Sequence, residues 1–219
     1  MNNETEDVMH NIFRHYLEEM PLIAILRSIT PDQCESVVEA LFAAGLRIVE
    51  VPLNSPEPLE SIERIAARFG DSMLVGAGTV LTVEQVGQVG GHGGRLIVSP
   101  NTNTEVIEAT VSAQMVSIPG AATPSEAFTA LAAGANAIKV FPAEMISPQI
   151  LASWRSVIPN TVALLPVGGI DGNNMTDYWQ AGADGFGLGS ALYKAGRSLG
   201  DVSANATKFA WTVSAAKKS

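Results

Sequence analysis

A lysine stands inside an apolar run. AGANAIKVFP, residues 133–142, carries Lys139 with no carboxylate in the stretch to pair with it. Burying an unpaired ammonium costs so much that such a group sheds its proton instead. A neutral, desolvated lysine is a nucleophile toward carbonyl carbon, and the Schiff base it forms stabilises a carbanion one carbon away. Glu50 in IVEVPL and Arg27 in LIAILR are further charges set in strand-like apolar runs. A carboxylate near such a lysine can move protons to and from the reacting carbon. The competing reading is a structural ion pair filling an interior, although hydrophobic filling is usually as stable. Buried charges cluster at functional sites, which favours the catalytic reading.

These residues need elements to hold them. Short apolar runs recur along the chain and read as strands at residues 22–27, 48–53, 73–80, 96–100, 114–120, 137–142, 163–169 and 185–190. Helical patterns lie between them, such as PDQCESVVEALFAAG with Thr30 as its expected cap and TPSEAFTALAAG with Thr123 in that role. Eight strands, each followed by a helix, predict an α/β fold of the (β/α)8 TIM barrel type. No linker or low-complexity block divides the chain, so residues 1–219 read as one domain. Val8, Met9, Ile12, Phe13, Tyr16, Leu17 and Met20 fall at helical spacing and make residues 1–20 an N-terminal amphipathic helix.

A weak internal repeat links the charges. AAGLRIVEV, AAGANAIKV and QAGADGFGL align without gaps as a helix end, a glycine cap and a strand. In that alignment Glu50 and Lys139 each stand five residues after a glycine, Gly45 and Gly134. They fall on the second and sixth strands, and alternate strands feed the same interior layers of a barrel. If Lys139 faces the interior, Glu50 faces it too. Near the ends of the last two strands lie PVGGIDGNN and GFGLGSALYK. In barrels those loops commonly hold a phosphate, with Gly168, Gly169, Gly189 and Ser190 as backbone donors here. The plainer alternative is that the glycines only permit tight turns. GAGTV, residues 76–80, lacks the third glycine of a dinucleotide fingerprint, but Thr79 offers a hydroxyl.

Composition narrows the partners. Thirteen basic against 22 acidic residues give a net charge of −9, a poor match for nucleic acid. The single Cys34 cannot form an internal disulfide, which suits a reducing cytoplasm. No apolar run approaches the roughly 18 residues of a membrane span, so no membrane is expected. His10 and His15 are spaced by five on one helix and His92 lies in a glycine-rich turn, so no metal site is expected. No cofactor motif appears.

The motifs PLIAILR, GLRIVEVPLNSP, VGAGTVLT, LIVSPN, PGAATPSEAFTALAAGANAIKVFPAE and PVGGI closely resemble those of the class I aldolases acting on 2-keto-3-deoxy-6-phosphosugar acids. The resemblance runs from about Met20 to the C-terminal helix. It implies a (β/α)8 barrel, a homotrimer and a small phosphorylated keto acid as substrate. Matched position by position, Lys139 takes the place of the Schiff-base lysine and Glu50 that of the general acid/base. Arg27 matches the arginine that binds the substrate carboxylate, and Thr79 matches the threonine of GAGTV. Gly168, Gly169, Gly189 and Ser190 match the phosphate loops, while Pro100, Phe141 and Val167 fall in matched motifs and complete the expected binding set. The implied reaction leaves a pyruvate enamine on Lys139 and releases glyceraldehyde 3-phosphate, Glu50 moving protons through water.

Two features depart from the family pattern: the glycine-rich GGHGGR at 90–95, and a longer lead before Met20. EVPLNSP, SPN and PVGGI look like the galactonate branch, where the gluconate branch typically shows EVTLRT, SPG and PTGGI. Other expectations stay open at this point. They are the gluconate epimer or 4-hydroxy-2-oxoglutarate as substrate, an isomerase or epimerase using Glu50 as base, and a phosphate-ligand binding protein without chemistry.

Overall fold

The protein was analysed as a computed structural model that describes residues 3–217, with side chains from Val8 onward. Met1 and Asn2, the start of the expected N-terminal helix, and the last two residues of the chain lie outside the described residues. Runs of β-branched and small apolar residues form parallel strands, buried on both faces as parallel strands must be. They are β1 (Leu22–Ile25), β2 (Ile48–Pro52), β3 (Leu74–Gly78), β4 (Leu96–Val98), β5 (Val116–Ile118), β6 (Gly120–Ala121), β7 (Ala137–Val140), β8 (Ala163–Pro166) and β9 (Phe186–Leu188).

The helices are α1 (Asn3–Glu19), α2 (Pro31–Ala43), α3 (Pro58–Phe69), α4 (Val83–Gly91), α5 (Thr104–Ser112), α6 (Pro124–Ala132), α7 (Pro148–Arg155), α8 (Met175–Gln180) and α9 (Leu199–Ala216). Proline opens α2, α3, α6 and α7, where its fixed φ suits the first turn and no donor is lost. Thr123 caps α6 as expected, accepting from the Glu126 N–H. Thr30 occupies the cap position of α2, but its side chain makes no capping bond. The Asp32 carboxylate two residues on is the stronger acceptor and takes the Thr30 hydroxyl.

One sheet runs β5-β4-β3-β2-β1-β9 and a second runs β6-β7-β8. The strand expected over 114–120 is broken into β5 and β6 at Pro119, which has no N–H for a ladder. Both pieces still lie along the β7 side: Asn136 N–H donates to Ser117 O, and Lys139 N–H to Pro119 O. At the other margin an isolated parallel bridge joins Val167 to Gly187, beside β8 and β9.

Side chains alternate along a strand, so residues two apart share a face. On one face the N-terminal ends of the strands contribute Ile23, Ile48, Leu74, Leu96, Val116 and Ala137 to a single apolar cluster. Helix α1 closes this cluster with Phe13 and Leu17. Two residues further along the same strands stand Ile25, Glu50, Gly76 and Lys139. The amphipathic helix is thus the floor beneath the two charges. Phe13 is only 1% exposed. Phe13→Ala should cost about 3–5 kcal/mol, read as a lower denaturation midpoint. A cost below about 1 kcal/mol would show that α1 is a dispensable extension.

Candidate active site

The same two-residue period carries on past the floor. Arg27, Glu50, Lys139, Phe141 and Val167 share the strand face that carries the apolar floor, and all five line one cavity of about 430 Å³. The cavity also takes in Gly168, Gly169, Gly189 and Ser190 from the loops that follow β8 and β9. It lies at the C-terminal ends of the strands, where loops converge and barrel-type enzymes keep their sites. Thr79 and Pro100, at the ends of β3 and β4, are not among the lining residues. Thr79 directly follows Gly78 and holds a left-handed φ of 58°, which breaks the pleat at that point.

Glu50 is 2% exposed and Lys139 6%. Burial pushes the Glu50 carboxyl up to about 7, against the pull of Lys139 and Arg27. Burial likewise holds the Lys139 ammonium below its ordinary value; Arg27 adds to this and Glu50 opposes it. The ion pairs found among the described residues lie elsewhere, so the two charges are neighbours in one cavity and not a bonded structural pair. Lys139 Nζ sits 4.5 Å from the centroid of the Phe141 ring. Glu50 Oε2 is buried without a hydrogen-bond partner among the described residues. A lysine that readily loses its proton beside a carboxyl that titrates near neutrality can do nucleophilic and acid–base chemistry together.

The walls are shaped for this. A methyl group at Gly78 would fall 2.0 Å from Glu50 Oε2, so the carboxylate lies directly over that glycine. At Gly187 a methyl would meet Val167 Cγ2 at 2.7 Å and Ile25 Cδ1 at 3.3 Å, so these two side chains form a small apolar wall. Gly168 and Gly169 hold φ values of 101° and 64°. The Asp171 side chain accepts from the Asn173 and Asn174 N–H groups, and the Asn174 amide donates to Gly169 O, which pins the loop after β8. No group of three or more His, Cys, Asp or Glu side chains suited to a metal occurs among the described residues.

A model of the family described as KDPG and KHG aldolase matches residues 13–204. The chain belongs to that family. It is 47% identical over 184 residues to a probable 2-dehydro-3-deoxy-6-phosphogalactonate aldolase of Rhizobium meliloti, covering 84% of this chain and 87% of the relative. It is 46% identical over 191 residues to the 2-dehydro-3-deoxy-6-phosphogalactonate aldolase of Escherichia coli K12, covering 87% and 93%. A solved structure described as native KDPGal superposes with a TM-score of 0.90 at 44% identity, covering 92% of this chain and 98% of that one.

Within this aldolase the sequence pattern overlooked several contributors. Gly78 reads as part of a strand, and only the approach of the Glu50 carboxylate across from β2 shows that it makes room for that group. Gly187 makes room for Val167 in the same way. Glu144 and Asp171 also line the cavity. Glu144 follows Lys139 by five residues, and the short 3-10 turn Ala143–Met145 carries it back over Gly168 and Gly169. That return leaves no periodic signal.

The raised Glu50 value has a consequence for stability. Between its ordinary 4.5 and about 7 the folded chain holds the proton more tightly than the unfolded chain. Stability contributed by this group is therefore complete at acid pH and falls as pH rises through that window. Glu50→Gln removes the titration. At pH 8 the variant should be more stable than wild type by about 2–3 kcal/mol, and at pH 5 by little. Denaturant melts at both pH values check this, and equal stability at pH 8 would contradict the raised value.

Proposed function

We propose that this chain is a class I aldolase that cleaves 2-dehydro-3-deoxy-6-phosphogalactonate reversibly to pyruvate and D-glyceraldehyde 3-phosphate. The observation that carries the reading is the sharing of one cavity by a buried Lys139, whose ammonium is held below its ordinary value, and a carboxyl, Glu50, pushed up to about 7. Lys139 adds to the keto carbon at C2, and loss of water gives the Schiff base. The Glu50 carboxylate, acting through water, takes the proton of the C4 hydroxyl as the C3–C4 bond breaks. The C3–C4 bonding pair becomes the C2=C3 double bond as the π pair of the protonated Schiff base moves onto nitrogen, giving the enamine, and glyceraldehyde 3-phosphate leaves. Glu50 returns a proton to C3, and water releases pyruvate and the free lysine.

In this reading Arg27 takes the substrate carboxylate and the backbone of Gly168, Gly169, Gly189 and Ser190 takes the phosphate. Thr79, Pro100 and Phe141 complete the binding surface. The scaffold is a single domain, a (β/α)8 barrel in which β5 and β6 act as one interrupted strand. The hydrogen bonds from Asn136 to Ser117 and from Lys139 to Pro119 and the Val167–Gly187 bridge support closure on both sides. The family resemblance supports a homotrimer. A phosphorylated substrate and one buried cysteine suit the cytoplasm.

The galactonate and gluconate epimers differ only at C4, so Lys139, Arg27 and the glycine loops meet the same groups in both. Val167 supports the galactonate choice, because its methyls form an apolar wall where a threonine would offer a hydroxyl. The names borne by relatives 47% and 46% identical to this chain agree with it.

With pyruvate and borohydride, wild type should gain one adduct at Lys139 and Lys139→Ala none, read by mass spectrometry. An adduct elsewhere, or none, would overturn the Schiff-base role and leave the isomerase or binding-protein readings. Wild type should also show the higher kcat/KM for the galactonate epimer, and Val167→Thr should shift preference toward the gluconate epimer by about ten- to a hundredfold. Equal or reversed preference in wild type would defeat the substrate choice and leave the aldolase chemistry intact.

A further inference from the structure

We infer that Asn54 is a positioning residue for Arg27. It holds the guanidinium over the cavity through a neutral acceptor, so that the full positive charge remains for the substrate's carboxylate. The inference rests on the reading of Lys139 and Arg27 given above. Arg27 Nη1 donates to Asn54 Oδ1 at 2.9 Å. Asn54 itself does not line the cavity, so it acts through the arginine.

A second bond one residue on makes this a two-point clamp. The Ser28 N–H donates to Ser55 Oγ at 3.0 Å, and Ser55 is buried. Ser28 holds a left-handed φ of 63°, a conformation that a non-glycine residue keeps only where its surroundings impose it. The loop after β1, which carries Arg27, is therefore fastened residue for residue to the loop after β2. The Ile25–Glu50 register and the Leu26 N–H bond to Glu50 O join the strands just below. The clamp thus sets Arg27 relative to the strand that carries Glu50.

The chemistry of the acceptor matters. Arginine only donates, so the amide must present its oxygen to it. A guanidinium has five N–H donors in a rigid fork, and one bond to Asn54 leaves the others for a carboxylate. An aspartate at this place would hold the same fork but cancel its charge.

The test compares trapping of pyruvate with trapping of pyruvamide, its neutral counterpart, on Lys139 with borohydride. Asn54→Ala should raise the pyruvate concentration for half-maximal trapping by about three- to tenfold, the scale of one ordinary solvent-exposed hydrogen bond. The rate at saturating pyruvate and the trapping of pyruvamide should stay unchanged. Asn54→Asp should weaken pyruvate trapping at least as far while leaving pyruvamide alone. A link that served only the scaffold would make Asn54→Asp equal to wild type, and that result overturns the inference. So does an unchanged Asn54→Ala, or a parallel loss with both ligands. No adduct in the wild type overturns the aldolase reading itself, and this inference with it.

Discussion

Two opposite charges held out of water in one cavity set the terms for the rest of the molecule. Burial alone moves Glu50 toward neutrality and makes Lys139 give up its proton more readily, and each partner opposes the shift of the other. A direct ion pair would favour the charged form of both and oppose those shifts. The fold keeps them in one cavity without that bond. It does so by placing them on different strands, β2 and β7, and by opening space over Gly78 for the carboxylate.

Such a site is costly to hold, and the structure beneath it offsets the cost. Burying carboxylate and ammonium favours the unfolded chain near neutral pH, whereas the apolar layer two residues below stabilises the folded one. Phe13 and Leu17 of α1 finish that layer from outside the strand repeat. Without them the strand layer would leave Ile23, Ile48 and Leu74 open toward solvent at the N-terminal end. The apolar layer and the two buried charges are thus drawn from successive levels of the same strands, which is why a substitution at Glu50 can strengthen the fold.

Loops shape the part of the cavity that the strands do not. Val167 reaches the cavity just past the end of β8, against the space left by Gly187. Glu144 comes back over Gly168 and Gly169 by way of a single 3-10 turn. The Asp171–Asn174 bonds hold the adjoining loop in one shape. Local hydrogen bonds make the last of these placements, so it depends on a few polar residues.

The alternation of strands and helices, the face on which Glu50 and Lys139 lie, and their kinship with the aldolases were all legible in the sequence. They rest on local pattern and on the family resemblance: residues two apart share a strand face, the internal repeat aligns Glu50 with Lys139, and the matched motifs add Arg27, Phe141 and Val167. The break at Pro119 was written there too, but the pattern of apolar residues ran through it unmarked. Only the tertiary structure decided that Thr30 leaves its helix uncapped, that Gly78 yields its space to a carboxylate, and that Asn54 meets Arg27. Each of these depends on contacts across strands or on competition between nearby acceptors. A hydrogen bond between residues 27 positions apart leaves no period in a chain, because its existence depends on how two strands register in space.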